Sequence, residues 1–427
     1  MTGQSADIVI VGAGAAGLMT AIFAGRALLG TGRRVVLVDG SAKIGVKILV
    51  AGGGRCNVTH HAVDERQYAG GSRNTIRNVL RRFGVEDTVA FFKELGVTLK
   101  REPTGKLFPT TDDAHTVLDA LLREVDRVGV EVLTPWRVGA IERTTEGGFS
   151  VQREQSGDAI HTPRLVLATG GKALPRSGSD GAGYALAKSL GHTITPRVFP
   201  ALVPLVAGER AAWVRELSGV SARARVEVRS GSGKRLAQFE NDLLCTHFGL
   251  SGPAVMDASR WLTDARHDDP AATLAIAWLP DETFETLDRS LGELGPATAA
   301  SWLRSRLPER LARAILDQCG LDASTRGAQL TRDERRSLAH ALTGMPIDIV
   351  HDRGFTHAEV TAGGVPLGEI DPGTMRSRVC PGLWLVGEIL DVDGRIGGFN
   401  FQWAWATGAI AGASSGRAAS GHDPRSA

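Results

Sequence analysis

The sequence predicts an α/β protein in which one parallel-sheet domain is split into two chain segments by an insertion. Three observations predict it. Ile8-Val9-Ile10-Val11 runs straight into Gly12-Ala13-Gly14-Ala15-Ala16-Gly17, and Arg164-Leu165-Val166-Leu167 runs into a second glycine turn at Gly170-Gly171. Between about residues 196 and 345 the patterning belongs to neither flank. Short apolar runs of this kind are buried on both faces, as strands of a parallel sheet are.

The opening strand, turn and helix read as a Rossmann-type unit. Gly12 permits the tight turn, Gly14 lets a pyrophosphate approach the backbone, and Gly17 lets the helix pack close to the strand. With Ala15 and Ala16, they set the N-terminus of a helix expected at 16–29 against negative charge. Val35-Val36-Leu37-Val38 reads as the next strand, and Asp39 at its end, followed by Gly40, is placed to bond an adenosine ribose. A lone GxGxxG is a weak signal. Strand, helix and acid together make it a dinucleotide site and not simply a turn that packs helix on strand.

After this unit, residues 58–73 show no periodicity and read as loop. Residues 82–96 read as a helix with Val85, Val89, Phe92 and Leu95 on one face, and Pro103-Thr104-Gly105-Lys106 turns a short hairpin. Asp112 or Asp113 can cap the next helix, whose Val117, Leu118, Leu121, Leu122, Val125 and Val128 form a core stripe. Strands are expected at 130–133, 138–143, 149–153 and 164–168. From 197 to about 277 the alternation fits a small antiparallel sheet or barrel, and from 281 to about 343 Leu, Ala, Arg and Glu dominate helical segments. Strands and glycines return after Met345, ending in Leu383-Trp384-Leu385-Val386 and a terminal helix. Residues after about Ala413 read as a frayed tail.

At 427 residues the chain is long enough for about two or three domains. A hydrophobic content of 42% with 22% charge is globular, and a net charge of +2 gives no general argument for nucleic acid or a membrane surface. The 4 cysteines form no CxxC pair, so neither zinc nor a redox disulfide is expected. Without a leader pattern or an apolar stretch of ~20 residues, the expected location is cytoplasmic.

Three further blocks carry chemistry: Gly45-Val46-Lys47 through Gly52-Gly53-Gly54-Arg55-Cys56-Asn57-Val58-Thr59; Thr246-His247-Phe248-Gly249-Leu250-Ser251-Gly252-Pro253; and Thr361-Ala362-Gly363-Gly364-Val365 with residues 387–402. On these blocks, which span most of the chain in order, the sequence resembles the bacterial BaiN/YhiN-like family of FAD-dependent flavoproteins, also described as aminoacetone-oxidase-like or NAD(P)/FAD-dependent oxidoreductases. The resemblance implies an FAD-binding domain split by an inserted β-barrel-like domain and a helical domain, with segments 1–195, 196–280, 281–344 and 345–427. Three positions depart from the family pattern: Ala51 where Ser is frequent, His60 where Asn is, and Lys106 where Arg is usual.

The resemblance gives roles to the blocks. Lys47, Gly54, Arg55 and Asn57 would stand against the pyrophosphate or flavin, a surface ion pair being the lesser reading of Arg55. Cys56 is more simply a buried, inert thiol than a redox group, and His247 more simply structural than a proton carrier. Glu388 and Asp391 would hold ribityl hydroxyls, Gly397 and Gly398 would let the backbone approach the flavin ring, and the helix from Phe399 and Asn400 would point its positive end at the reduced flavin. Val138 would read adenine with its main chain, and Gly170 and Gly171 mark a second close approach.

The expected function is hydride transfer at flavin N5 on a small-molecule substrate. NAD(P)H is the candidate transient donor, visiting without a Rossmann domain of its own, and oxygen is the alternative partner. The catalytic acid or base is not legible, and no metal, nucleic acid or membrane partner is expected. Two other classes remain: a flavin-dependent RNA-modifying enzyme, which the near-neutral charge and the want of a basic, aromatic-studded patch argue against, and a non-catalytic flavin sensor.

Overall fold

Ile8–Val11 is buried at every position and is the central strand of a five-stranded sheet ordered Leu383–Leu385, Leu165–Leu167, Ile8–Val11, Val35–Val38, Glu131–Leu133. Every pairing is parallel. The chain first adds strands on one side of Ile8–Val11, then crosses back and adds them on the other. Sheet growth therefore reverses between Ile8–Val11 and Leu165–Leu167, and in open α/β sheets the ligand crevice lies at the carboxyl ends of the strands flanking such a reversal. Those ends carry Gly12 and Ala168-Thr169-Gly170. The Rossmann-type fold is therefore present, and its last strand is supplied by the far end of the chain.

The computed structural model describes residues 4–421. The chain divides into two units, Met1–Phe199 with Val360–Ala427, and Pro200–Glu359.

In the first unit, Ala15–Leu28 packs along the terminal helix Phe399–Ala419. Gly408, Gly412 and Gly416 recur every fourth residue on that helix. A Cβ at Gly408 would lie 2.6 Å from the Ala16 carbonyl oxygen, and one at Gly412 would lie 2.4 Å from that of Thr20. Small residues are what let the two backbones meet. The tail expected to fray after Ala413 is instead helical to Ala419, with Ser414 and Ser415 buried, because its small size serves the contact. Residues 422–427 of that expected tail lie outside the described residues.

The stretch 58–73, expected to be loop, contains two strands and a 3-10 turn, and a helix, Arg73–Leu80, follows directly. Thr59–His60 pairs with Lys106–Pro109, and Tyr68–Gly70 pairs with Val392–Gly394. Both partners are distant in sequence, so no local periodicity announces them. The expected helix at 82–96 is shorter, Val85–Glu94, because Gly84 forms its N-cap. The hairpin of Leu99–Arg101 with Lys106–Pro109, the Asp113 cap of Ala114–Arg127, and the strands Val138–Arg143 and Phe149–Arg153 stand where the residues predict them.

The second unit holds a seven-stranded sheet ordered Met345–Ile347, Thr273–Ala277, Ser221–Arg229, Arg235–Thr246, Gly249–Ser251, Leu205–Ala207, Ile349–Asp352. Its two edge strands are separated in sequence only by Asp348, so the sheet must curl until its edges meet, which makes it barrel-like. Helices Phe284–Gly292, Glu309–Gln318 and Arg332–Gly344 share its hydrophobic core through Leu287, Leu311, Ile315 and Leu338. By contacts the chain returns to the first unit at Val360, later than the Met345 expected, because Met345–Ile347 and Ile349–Asp352 are strands of the second unit's sheet.

Candidate functional site

At the carboxyl end of Ile8–Val11 two glycines are fixed by the protein and a third is not. Gly12 has φ +104°, and a Cβ there would lie 2.4 Å from the Ala168 carbonyl oxygen. At Gly17 a Cβ would lie 1.7 Å from the Gly12 carbonyl oxygen. Gly14, the N-cap of Ala15–Leu28, is exposed and would meet nothing within 4 Å. No side chain caps this helix and its first turn carries no acid, so the end formed by Ala15 and Ala16 suits an anion.

Asp39 ties this turn to the neighbouring strand. One carboxylate oxygen accepts the Ala13 N–H at 2.6 Å and the other the Ser41 N–H at 2.7 Å. A carboxylate has about four acceptor sites, so capacity remains for a hydroxyl. The Asp39 carbonyl accepts the Trp136 N–H at 2.6 Å, which sets the start of Val138–Arg143 beside it. The missing Cβ of Gly40 admits the Arg137 side chain, 3.2 Å from where it would stand.

In the second block the backbone turns left-handed several times. Val46–Gly54 begins helical behind Gly45, leaves the helix at Ala51, and passes through Gly52, Gly53, Gly54 and Cys56 at φ of 60°, 70°, 87° and 60°. Cys56 is the costly member, since a residue with a Cβ rarely adopts such a φ. Its thiol is fully buried, and burial pushes its pKa up to about 12. Native protein is therefore expected to leave Cys56 unmodified by an alkylating reagent at pH 8, with modification on unfolding, as peptide mass spectrometry would check. Labelling of Cys56 in the native state would contradict its burial.

Arg55 turns into the hairpin. Its guanidinium pairs with Glu102 at 2.6 Å and lies over the Phe108 ring, 4.0 Å from its centroid. It makes the ion pair of the alternative reading, and its Nε also reaches the Gly52 carbonyl of the glycine turn at 3.4 Å. Asn57 is buried, and its side-chain oxygen has no hydrogen-bond partner among the described residues. The Thr169 hydroxyl is in the same condition at the carboxyl end of Leu165–Leu167.

The most concentrated cluster joins three parts of the chain. Lys47 Nζ donates to Glu388 at 3.0 Å and to the Ser179 hydroxyl at 3.2 Å, and the other Glu388 oxygen accepts the Thr361 N–H at 3.0 Å. The Thr361 hydroxyl accepts from the N–H groups of Lys172 and Ala173 at 2.8 and 3.0 Å. A Cβ at Gly171 would come within 2.4 Å of that hydroxyl, and one at Gly170 within 2.8 Å of the Ser179 hydroxyl. One residue before Glu388, a Cβ at Gly387 would lie 2.9 Å from Ala16 Cβ. The first, second and C-terminal blocks therefore meet. Sequence reading found Lys47, Gly170, Gly171 and Glu388 but missed Ser179 and the double acceptor Thr361, whose only signal was its place at the head of the Thr-Ala-Gly-Gly-Val block.

Beyond Glu388, several of the expected residues make contacts within the protein. The Asp391 backbone is held from both sides, its carbonyl by the Gly71 N–H at 2.7 Å and its N–H by the Val365 carbonyl at 2.8 Å. Gly397 and Gly398 have φ of 133° and 96°, but a Cβ at Gly398 would lie 2.6 Å from the Thr59 backbone. The close approach that Gly398 permits is to Thr59; the flavin ring assigned to it by sequence is not needed to explain this glycine. Phe399 is buried, stacks on His60 at 5.0 Å, and its carbonyl accepts from the Tyr68 hydroxyl. Asn400 exchanges two hydrogen bonds with the Gly394 backbone, at 2.8 and 2.9 Å. These residues lock the start of the terminal helix.

One buried network was not legible at all. His192 bonds Glu369 at 2.6 Å through Nδ1 and the Ser377 hydroxyl at 2.8 Å through Nε2. The spacing is that of a Ser-His-acid relay, but the Ser377 oxygen also accepts from the N–H groups of Val379 and Cys380, which leaves no lone pair to attack. It is a clasp. In the second unit, His247 stands exposed in the turn between Arg235–Thr246 and Gly249–Ser251. Among the described residues no group of three or more His, Cys, Asp or Glu could hold a metal ion, and no helix is long and apolar enough to cross a membrane.

Comparison with known proteins gives concordant matches. The model of the HI0933-like protein Rossmann domain matches residues 6–414. The chain is 35% identical over 409 residues to the 3-dehydro-bile acid delta(4,6)-reductase of Clostridium scindens, covering 95% of this chain and 98% of that protein. It is 33% identical over 403 residues to the ribosomal RNA dihydrouridine synthase of Escherichia coli, covering 94% and 96%. The solved structure of 3-ketosteroid delta1-dehydrogenase from Sterolibacterium denitrificans has the same fold, with a TM-score of 0.50 at 12% identity, covering 97% of this chain and 100% of that one.

Proposed function

The chain belongs to the HI0933-like Rossmann family and is a flavin-dependent oxidoreductase; from that premise we propose that it binds FAD and reduces a carbon–carbon double bond conjugated with a carbonyl, NAD(P)H supplying the electrons. The observation that carries the cofactor assignment is the glycine turn at the sheet's reversal point, where Gly14 faces open space while Gly12 and Gly17 are fixed by the protein itself. The orphaned buried oxygens of Asn57 and Thr169 fit the same reading, because an unmet polar group costs ~1–3 kcal/mol and a ligand rich in hydroxyls and amides meets it.

Bound FAD would supply hydride chemistry at N5. The protein's part is to hold and orient. Gly12, Gly14, Ala15, Ala16 and Gly17 would face the pyrophosphate, Asp39 and Gly40 the adenosine ribose, and the Val138 main chain the adenine. Lys47 and Glu388, with Gly54, Gly170 and Gly171 close to the same blocks, would fix the ribityl side. In the reaction as proposed, the β carbon of the substrate gains a hydride and the α carbon a proton, while NAD(P)H leaves as NAD(P)+.

Both relatives point to this chemistry by name. A bile-acid reductase saturates a ring, and dihydrouridine is uridine with its ring double bond, conjugated to a carbonyl, reduced. The first reading is a small conjugated ketone. The second, a uracil base in RNA, is favoured by the near full-length match to the synthase.

Two results follow. Asp39→Ala is expected to weaken FAD binding about tenfold, by loss of one charge-assisted hydrogen bond of ~1.5 kcal/mol, measured by titrating apoprotein with FAD; unchanged affinity would leave Asp39 only as a clip for Ala13 and Ser41. For the reaction itself, the flavoprotein is mixed anaerobically with NADH or NADPH, then with a steroid 4-en-3-one or a uridine-containing RNA. Bleaching by one nicotinamide and recovery of colour with one acceptor are expected. Bleaching that only oxygen reverses would make the protein an oxidase.

A further inference from the structure

Although the whole chain carries a net charge of only +2, its charge is not spread evenly. Residues 66–85 contain Arg66, Arg73, Arg77, Arg81 and Arg82 and no acid. Arg73, Arg77 and Arg81 recur every fourth residue along and just past the helix Arg73–Leu80, which puts them on one face about 6 Å apart. Ile76, Val79 and Leu80 of the same helix are buried.

Two of the five arginines are neutralised locally. Arg66 pairs with Asp64 at 2.7 Å and Arg77 with Glu65 at 2.5 Å. Arg73, Arg81 and Arg82 are exposed and make no ion pair among the described residues. Asn74 and Asn78 are exposed one row over. Beside the stripe lies an open cleft of about 440 Å³, lined in part by Asp64, Arg66, Arg77 and Arg81. The strand Tyr68–Gly70, which precedes the helix, is paired to Val392–Gly394 of the C-terminal block, and the Arg395 N–H donates to the Gln67 carbonyl. The stripe is thus built onto the block that carries Gly397 and Phe399.

We infer that this arginine face is a docking surface for the phosphate backbone of RNA. Exposed guanidiniums that make no ion pair, as at Arg73, Arg81 and Arg82, beside exposed amides are what track a phosphate strand; Arg77, between them in the row, is held by Glu65. A lipid surface would ask for apolar side chains along the same face, and the exposed large hydrophobic residues all lie elsewhere: Leu29, Val50, Leu236, Trp261, Val350 and Val379. The inference rests on the second substrate reading for the choice of RNA, and on the first unit's own geometry for the choice of surface.

The test uses the FAD-loaded protein and a fluorescein-labelled single-stranded RNA of mixed sequence, followed by anisotropy across a salt series. The triple variant Arg73→Glu, Arg81→Glu, Arg82→Glu is expected to bind at least tenfold more weakly. Its salt dependence should be shallower by about 2 in the slope of log K against log salt, at ~0.7 per phosphate contact on a single strand. The milder triple replacement by Gln should fall between parent and Glu variant, and serves if the Glu variant does not fold. Polyglutamate at equal charge should not displace the RNA. The proposal is overturned by a parent that binds no RNA, by a variant that binds as the parent does, or by full displacement with polyglutamate. Flavin content and bleaching by NAD(P)H, read on the same samples, separate the two ideas: loss of either with RNA binding intact counts against the proposed reaction and not against the surface.

Discussion

Gly17→Ala is expected to yield little folded protein and to reduce bound flavin more than a hundredfold. The added Cβ would sit 1.7 Å from the Gly12 carbonyl oxygen, a backbone atom at the end of the central strand. Relief requires Ala15–Leu28 to move off the sheet, but that helix is held from its other side by the close glycine contacts of Phe399–Ala419. Overpacking costs about 1–3 kcal/mol even where side chains can yield; here only backbone can, against a total stability of ~5–15 kcal/mol. The control is Gly14→Ala, one turn away in the same motif. Its Cβ meets nothing of the protein, and its backbone conformation, φ −79°, suits alanine. It should fold with an unchanged melting temperature and still bind FAD less well. Melting curves and flavin absorbance per chain after desalting read both. A Gly14→Ala protein that keeps its fold and binds FAD as tightly as the parent would mean that Gly14 does not face the cofactor.

Glu388→Ala is expected to lower stability by about 2 kcal/mol and FAD affinity about thirtyfold. The carboxylate makes two bonds, one to Lys47 and one to the Thr361 N–H. The ion pair is about a quarter exposed on one side and a fifth on the other, so solvent screening limits its share. More comes from stranding the Thr361 N–H and from freeing Lys47, whose ion pair is one of the links between the second block and the C-terminal block. Glu388→Gln retains the acceptor for Thr361 and loses the charge, so it should fall between. Lys47→Met should resemble it. Thermal denaturation with apoprotein titration gives both quantities, and a Glu388→Ala protein as stable and as FAD-avid as the parent would make this cluster decorative.

Local patterning made the Rossmann unit legible: residues 8–17 announce strand, turn and helix within a few positions, and the strands Val138–Arg143 and Phe149–Arg153 alternate cleanly enough to be read to the residue. What was lost is non-local. Tyr68–Gly70 is a strand only because Val392–Gly394 pairs with it. Thr361 and Ser179 are ordinary residues until folding brings them to Lys47 and Glu388. The close approach of Gly398 to Thr59, more than three hundred positions earlier in the chain, was not legible either. The end of the terminal helix, after Ala413, looked like a tail because small residues signal disorder and close packing alike. Net charge hid the arginine stripe, since a sum over the chain does not register segregation within it.

The central claim is that the turn at residues 12–17, with Asp39, holds the adenosine diphosphate half of FAD. The most direct measurement is chromatography of the cofactor released when purified, desalted protein is denatured. The account requires FAD, one per chain, lost selectively in Gly14→Ala while the fold is kept; release of FMN alone, or protein that stays colourless after incubation with FAD, would contradict it.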